Sequence, residues 1–518
     1  MTKRLFPWAA LLLFWAALYL PGLGDLEIKG EEARRALPAV EMLQTGDWVV
    51  PHLNGTPYLR KPPLINWAIA ASLRVTGMEN EWSVRLPSVL AMLALGIAVF
   101  GTGVRWLPRP VAWVAAAAAL SGLGLWEKGR LAEIEAIYVA LTGIAFAWWL
   151  AAWVNRKRGF ALWLVPALCM GLGLLTKGPT HMLLFYAVVI PVLFYAGEQR
   201  ELWSAGHLCG LALAGLLFAA WAVPYFHATA ALHADAVWAS EMKQRVGVHE
   251  GALSIAADFL NALANGLPWI LLAPLWWSRR VLDGLEPRRR TLLCAARWPL
   301  AIGFIGLVLI PGMVARYTLP FYPAIALLLA LVLPSVGTGI QKTWGWLNTA
   351  LALLLAAGAV GAVVYAGPAL VEWHDFLAAL LLAALAACAW PRLKGEKPVQ
   401  LALGTALAYA AGLAIFAAAV QPKVRQMVDL RQAGAQVTAA IPADAPLYLV
   451  GATCSPVLFY TNLVHPCIYA GSLKHLPPDA RYIITPGKKL TGPLAAARLL
   501  ARFGTDKDTQ MLLLEIPR

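Results

Sequence analysis

The sequence predicts a polytopic α-helical membrane protein that carries a small α/β domain at its C-terminal end. Three observations lead there. Of 518 residues, 60% are hydrophobic and only 14% charged, against roughly 45–50% and 25% in an ordinary soluble domain. The apolar residues fall in runs close to the length of a spanning helix, about 20 residues. The chain turns polar after about residue 421. A water-soluble enzyme and a disordered chain are both excluded by this composition. The formal charge of +14 comes from 42 Lys+Arg against 28 Asp+Glu, and most of the basic residues sit in short links between apolar runs. That is the pattern of cytoplasmic loops, so a lipid bilayer and not a nucleic acid is the expected partner. Six cysteines without a C-x-x-C pair make neither a disulfide scaffold nor a zinc module.

About thirteen candidate spans follow from the apolar runs, at roughly 5–22, 84–103, 110–125, 134–153, 160–176, 180–196, 206–225, 266–278, 298–312, 318–338, 345–366, 374–391 and 398–420. The first is expected to stay as a span and not be removed as a signal peptide, because no small-residue cleavage site follows it. Placing Lys3 and Arg4 in the cytoplasm also places there Arg105 and Arg109, Arg156, Lys157 and Arg158, Arg279 and Arg280, Arg288 to Arg290, Lys342, Arg392, Lys394 and Lys397. The spans then form a membrane domain over 1–420. An outer loop at about 23–83, another at about 226–265, and the whole segment 421–518 fall on the opposite, outer side. The tail reads as a polar helix at 424–440, a strand at 446–451, a short helix at 455–460, a strand at 481–485, a helix near 494–503 and a final strand at 510–516. Cys454 and Cys467 are the only cysteines in the outer segments. The compartment permits them to pair, with two free buried thiols as the alternative.

Chemistry is expected in the first outer loop. Glu31, Glu32 and Arg34 open an amphipathic helical stretch, where acidic residues suit the positive end of the helix dipole. Gly46-Asp47-Trp48, Asn54-Gly55, Tyr58, Lys61-Pro62-Pro63 and Trp67 follow. A solvated charge cluster is the plain alternative. Because apolar spans pin both ends of this loop, its helices are expected to lie in the membrane interface with Trp and Tyr as anchors. Charge held at that depth is costly unless it is used.

The run EEARRALPAVEMLQTGDWVVPHLNGTPYLRKPPLINW at 31–67 resembles the first periplasmic loop of the bacterial GT-C glycosyltransferases, the group that includes the lipid A aminoarabinose transferases and the protein O-mannosyltransferases. Further landmarks follow in order: Leu175-Thr176-Lys177-Gly178-Pro179, Glu241 with Arg245, Pro268-Trp269, and Arg316-Tyr317-Thr318-Leu319-Pro320. The resemblance runs in register from residue 1 to about 335, and only in layout beyond. It implies a GT-C fold and an inverting transfer of sugar from an undecaprenyl-phosphate-linked donor to lipid A or another envelope glycolipid or polysaccharide. A protein acceptor is one alternative, and a lipid flippase or transporter, a different class, is another. A transporter should show paired halves around midplane charges. Here the charges gather at the outer ends of the spans.

Carried over by position, the resemblance makes Glu31 the reactive-site acid, normally Asp, with Arg34 beside it and Arg35 where the family has Tyr. It gives Lys61 and Tyr58 to the lipid phosphate, with Arg245 and Lys177. Glu135 becomes the second acid, with Glu133 as the alternative if the register slips by two. Arg316, Tyr317 and Glu32 go to the substrate cavity.

Elementary chemistry points the same way. A polyprenyl-phosphate leaving group departs as an anion, and fixed cations in a poorly hydrated site stabilise charge that grows in the transition state. An attacking hydroxyl needs a carboxylate to take its proton, and Glu31 is the candidate. Plain alternatives exist for each residue. Lys61 and Lys177 suit snorkelling, Arg245 an ion pair with Glu241, Glu135 a helix cap and Tyr317 an interface anchor. The Lys177-Gly178 pair lacks the order of a phosphate-binding loop. His52, His181, His233 and His249 have no ligand spacing and read as surface or interface residues. No metal or other cofactor is expected, the donor lipid being a substrate. Asn54-Gly55-Thr56 matches a glycosylation acceptor by chance or as a turn.

Overall fold

The computed structural model describes residues 2–28, 30–238, 252–310, 314–347, 350, 397–417, 430–451, 456–470, 472–487, 494, 496–503 and 510–517. Its principal helices are α1 (Thr2–Tyr19), α2 (Ala33–Thr45), α3 (Leu64–Thr76), α4 (Glu81–Gly103), α5 (Arg109–Ser121), α6 (Leu123–Gly129), α7 (Ile134–Val154), α8 (Phe160–Lys177), α9 (Thr180–Tyr195), α10 (Ala205–Ala228), α11 (Ala252–Asn265), α12 (Pro287–Leu309), α13 (Tyr322–Val332), α14 (Pro398–Ile415) and α15 (Leu430–Ala440). The chain divides into two compact units. One holds Met1–Pro21, Ser88–Val223 and Asp235–Val420, the other Gly22–Pro87, Pro224–Ala234 and Gln421–Arg518.

The first unit is the bundle. Among the described residues, seven helices are long and apolar enough to cross a membrane, or nine if each of two bent pairs is one span. The candidate spans at 345–366 and 374–391 lie almost wholly outside the described residues. Burial separates the spans by role: 89% of the window in Ala315–Ser335 and 72% of that in α7 are inside the protein, but only 28% of that in α10. The first two are the centre of the bundle, and α10 leaves most of its surface outside the protein. Close packing at the centre depends on Gly143 of α7, where an added Cβ would stand 2.5 Å from Leu95 and 2.8 Å from Pro323. Any side chain there would force the helices apart. The span predicted at 110–125 is bent by 63° between α5 and α6, and that break delivers Lys128 and then Glu133, the N-cap of α7. At the basic-loop end, Arg288 grips both oxygens of Glu198 at 2.9 and 3.1 Å and stacks 3.9 Å over Trp153. Such bidentate geometry fixes a helix end as well as supplying loop charge.

The second unit joins the first outer loop to the tail. Glu27 accepts hydrogen bonds from the backbone N–H groups of Leu430 and Arg431 at 2.8 and 2.9 Å, capping the start of α15 as a carboxylate should. Arg431 pairs with Glu81, and the hydroxyl of Tyr460 donates to the same carboxylate at 3.0 Å. The tail sheet is made of β3 (Leu447–Leu449), β4 (Ile468–Tyr469), β5 (Tyr482–Pro486), β6 (Arg498–Phe503) and β7 (Met511–Glu515). Their order is β4-β3-β5-β7-β6, with β3 parallel to β4 and β5, and β7 antiparallel to β5 and β6. Val450, Ile483, Leu494, Leu512 and Leu514 form its core.

One tail element is corrected. The stretch expected as a helix near 494–503 is the strand β6, bulged between Leu499 and Ala501. Its Ala, Leu and Arg residues favour a helix by only tenths of a kcal/mol each, and pairing along β7 overrides that preference. Cys467 is a free, buried thiol, while Cys454 lies outside the described residues. His181, read as a surface residue, is buried, its ring nitrogens 2.9 and 3.0 Å from the carbonyls of Gly178 and Met170.

Candidate active site

The predicted residues fall into two groups, one in each unit. In the outer-loop unit, Glu31 occupies the turn before α2. Its side chain is 33% exposed, and its two oxygens accept from Arg34 at 2.8 Å and Arg35 at 3.1 Å. Arg35 is almost fully buried and donates its other terminal nitrogen to the Tyr58 hydroxyl at 3.1 Å. The residue that departs from the family pattern therefore links the acid to the tyrosine. Asn66 donates to the Arg35 carbonyl at 2.9 Å and holds the helix there. Lys61 is partly buried three residues beyond Tyr58. The segment between them is held by the Tyr225 hydroxyl, which donates to the Leu59 carbonyl at 3.3 Å.

Glu32, expected in the substrate cavity, is instead buried and grips Arg85 through both oxygens at 2.8 Å each. Arg85 also donates to the carbonyls of Leu23 and Leu26 at 2.7 Å. This pair shapes the loop. It is 53 residues apart in sequence, so no local pattern announces it.

In the bundle, Glu135 on the first turn of α7 meets Lys177 on the last turn of α8 at 3.0 Å and Arg316 at 3.6 Å. Lys177 lies 4.4 Å from the centre of the Tyr317 ring and 5.6 Å from that of Tyr138, a cation held against aromatic faces. Glu133 continues the network, with Lys128 at 3.1 Å and Arg316 at 3.9 Å. Glu135, Tyr138, Lys177, Thr180, Arg316 and Tyr317 are among the residues lining one cleft. Two carboxylates and three cations thus share one end of the bundle, an arrangement suited to holding an anion while staying close to neutral.

Lys128, Tyr138 and the bridging role of Arg35 escaped the sequence reading. A signal existed for Lys128: with Arg130 it puts two cations in a short link assigned to the outer side, against the usual bias. Arg130 is used structurally, donating to the Leu18 carbonyl at 3.2 Å and to that of Pro21. Arg245 and Glu241 lie outside the described residues. Among the described residues there is no group of three His, Cys, Asp or Glu side chains placed to hold a metal ion.

Comparison with known proteins bears on the architecture. ArnT from Cupriavidus metallidurans, solved bound to undecaprenyl phosphate, superposes with a TM-score of 0.74 at 19% identity, covering 100% of this chain and 98% of that one. The chain has the GT-C fold. A family model described as dolichyl-phosphate-mannose-protein mannosyltransferase matches residues 60–225, the part of the GT-C fold from within the first outer loop to α10. Two undecaprenyl phosphate-alpha-4-amino-4-deoxy-L-arabinose arabinosyl transferases are similar in sequence. The one from Pectobacterium carotovorum is 31% identical over 373 residues, 68% of this chain, and that from Pectobacterium atrosepticum 30% identical over 376 residues, also 68%. The chain spans about 65% of the length of these curated relatives. Like ArnT, this GT-C chain is a multi-pass membrane protein.

Proposed function

We propose that this protein transfers one sugar from an undecaprenyl-phosphate-linked donor to an acceptor on the periplasmic side of a bacterial inner membrane, with inversion at the sugar carbon. Lipid A stands ahead of other envelope glycolipids and polysaccharides as acceptor. The relatives transfer 4-amino-4-deoxy-L-arabinose from such a donor, which supports an amino sugar here. The observation that carries the proposal is the Glu31, Arg35 and Tyr58 constellation, with Lys61 on the same loop.

As the phosphate leaves, negative charge grows on its oxygens, and Lys61 and Tyr58 answer it in a medium where such contacts are strong. Glu31 serves a hydroxyl acceptor as base. An acceptor phosphate is already ionised and needs only positioning, and Glu31 then acts by recognising the sugar. Side chains supply all the positive charge in this account, so chelation should leave the rate unchanged. The N-terminus is cytoplasmic and the tail periplasmic by the bias of the basic loops.

Purified protein supplied with undecaprenyl-phosphate aminoarabinose and lipid A tests the proposal. Mass spectrometry should show lipid A gaining one aminoarabinose. Unmodified lipid A, from protein that binds the donor, overturns the assignment of acceptor. A phosphatase fused after residue 425 should be active, and an inactive one would reverse the topology.

A further inference from the structure

Glu41 is a buried carboxylate on α2 that no step above uses. One of its oxygens accepts the backbone N–H of Asn54 at 2.6 Å and the other that of Gly55 at 3.1 Å. These two residues are the turn of a small hairpin, β1 (His52–Leu53) paired with β2 (Thr56–Pro57). Both are left-handed, Asn54 at φ 55° and Gly55 at φ 69°, the pattern that suits Asn-Gly in a two-residue turn. The other edge of the turn touches the tail: the Tyr469 N–H donates to the Asn54 carbonyl at 3.0 Å. A Cβ on Gly55 would stand 3.7 Å from the Cys467 carbonyl. The hairpin closes through the Tyr58 N–H, which donates to the Pro51 carbonyl at 2.7 Å. Tyr58 therefore follows the hairpin with no slack, and Lys61 comes three residues later.

We propose that Glu41 is a positioning residue, which by gripping the Asn54-Gly55 turn between α2 and the tail strand sets where Tyr58 and Lys61 meet the donor phosphate. Glu41 touches neither donor nor acceptor in this role. A carboxylate is required because its two oxygens face two N–H donors at once. An amide of the same length offers one acceptor oxygen and turns its NH₂ toward a donor, leaving one backbone N–H unmet. The inference rests on the donor-binding role proposed for Tyr58 and Lys61.

The test uses the full-length protein in nanodiscs, with undecaprenyl phosphate as the binding probe. Assayed at pH 8, where Glu41 is ionised and both of its oxygens accept, Glu41→Gln should fold, being nearly isosteric, and should weaken probe binding about fivefold, the worth of one lost hydrogen bond. In turnover, the donor KM should rise by a similar factor while kcat stays within twofold. Glu41→Asp, a methylene shorter, should show the same split. Gln44→Ala controls for general damage, since Gln44 lines the neighbouring pocket and bonds the Leu463 carbonyl but not the turn. It should bind the probe like the parent. Parent-like binding by Glu41→Gln, or an equal loss in Gln44→Ala, overturns the inference. Lys61→Ala separates the two proposals. If it too binds like the parent, the donor-phosphate role of Lys61 fails. If it weakens binding while Glu41→Gln does not, only the positioning role fails.

Discussion

Glu31 and Glu135 are the two acids that the family resemblance singles out, and their surroundings differ in kind. Glu31 stands in a turn, a third of its side chain exposed, with one exposed arginine and one buried arginine bonded to it. Glu135 is 8% exposed on the first turn of a central span, and its partners Lys177 and Arg316 are themselves tied to aromatic rings and to Glu133. An open carboxylate can be reached by an acceptor and can change partners during a reaction. A carboxylate locked into a buried network mainly keeps its cations in place, and removing it strands them. The same residue type is thus suited to chemistry in one unit and to holding charge in the other.

The largest effect that would break this contrast concerns Glu31. If the acceptor is a hydroxyl, Glu31→Gln should slow the chemical step about 10²–10⁴-fold with donor binding intact, measured by single-turnover transfer. If the acceptor is a phosphate, the loss should be far smaller and lie in discrimination between sugars. Parent-like turnover in this variant, with Glu135→Gln as the damaging change in chemistry, would mean the roles are reversed.

For Glu135→Gln, the expected outcome is a loss of stability, because breaking a buried pair from one side costs about 3–5 kcal/mol. Detergent-solubilised protein should show a lowered unfolding temperature, and a second change, Lys177→Met, should recover part of it by removing the stranded charge. An unchanged unfolding temperature would show that the network is solvated and that Glu135 is open to substrate.

A smaller effect sharpens the contrast on the outer side. Arg35→Lys keeps the charge but has no planar fork to span Glu31 and Tyr58, so donor affinity should fall about tenfold, roughly one charge-assisted hydrogen bond. Equal donor affinity in the variant would mean that the Arg35 bridge plays no part in ordering Tyr58.

A further effect is one of pH. Burial pushes the Glu41 carboxyl up to about 7, against the pull of the Asn54 and Gly55 N–H groups. Cys467, whose buried thiol is also pushed up, lines the same pocket with Glu79 and His465. A raised folded value means that the contribution of Glu41 to stability is whole below the ordinary carboxylate range and is lost as pH rises through about 7. Thermal unfolding of the parent and Glu41→Gln should therefore nearly coincide at pH 5, with the glutamine variant gaining on the parent by pH 8. Parallel curves across that range would show Glu41 titrating as an exposed acid does.

Much of this protein was determined by sequence acting locally. Apolar runs of spanning length, separated by basic links, leave the chain no other solvent than a bilayer, and the order of motifs from Glu31 to Tyr317 marks the loop and helix ends that carry charge. The Asn54-Gly55 turn is equally local, since few residue pairs tolerate two successive left-handed conformations. Partnership was decided elsewhere. Glu31 and Glu32 are adjacent and chemically identical, yet Glu32 is turned onto Arg85 while Glu31 stays open. Lys177 finds Glu135 42 residues away, and Glu41 finds its turn on a different element. The tail stretch at 498–503 has the composition of a helix and becomes a strand because β7 offers it an edge. Side-chain pattern sets which face of an element is apolar, but which charge meets which depends on where separate elements pack, and in a low-dielectric interior that meeting decides whether a glutamate anchors a network or remains free to react.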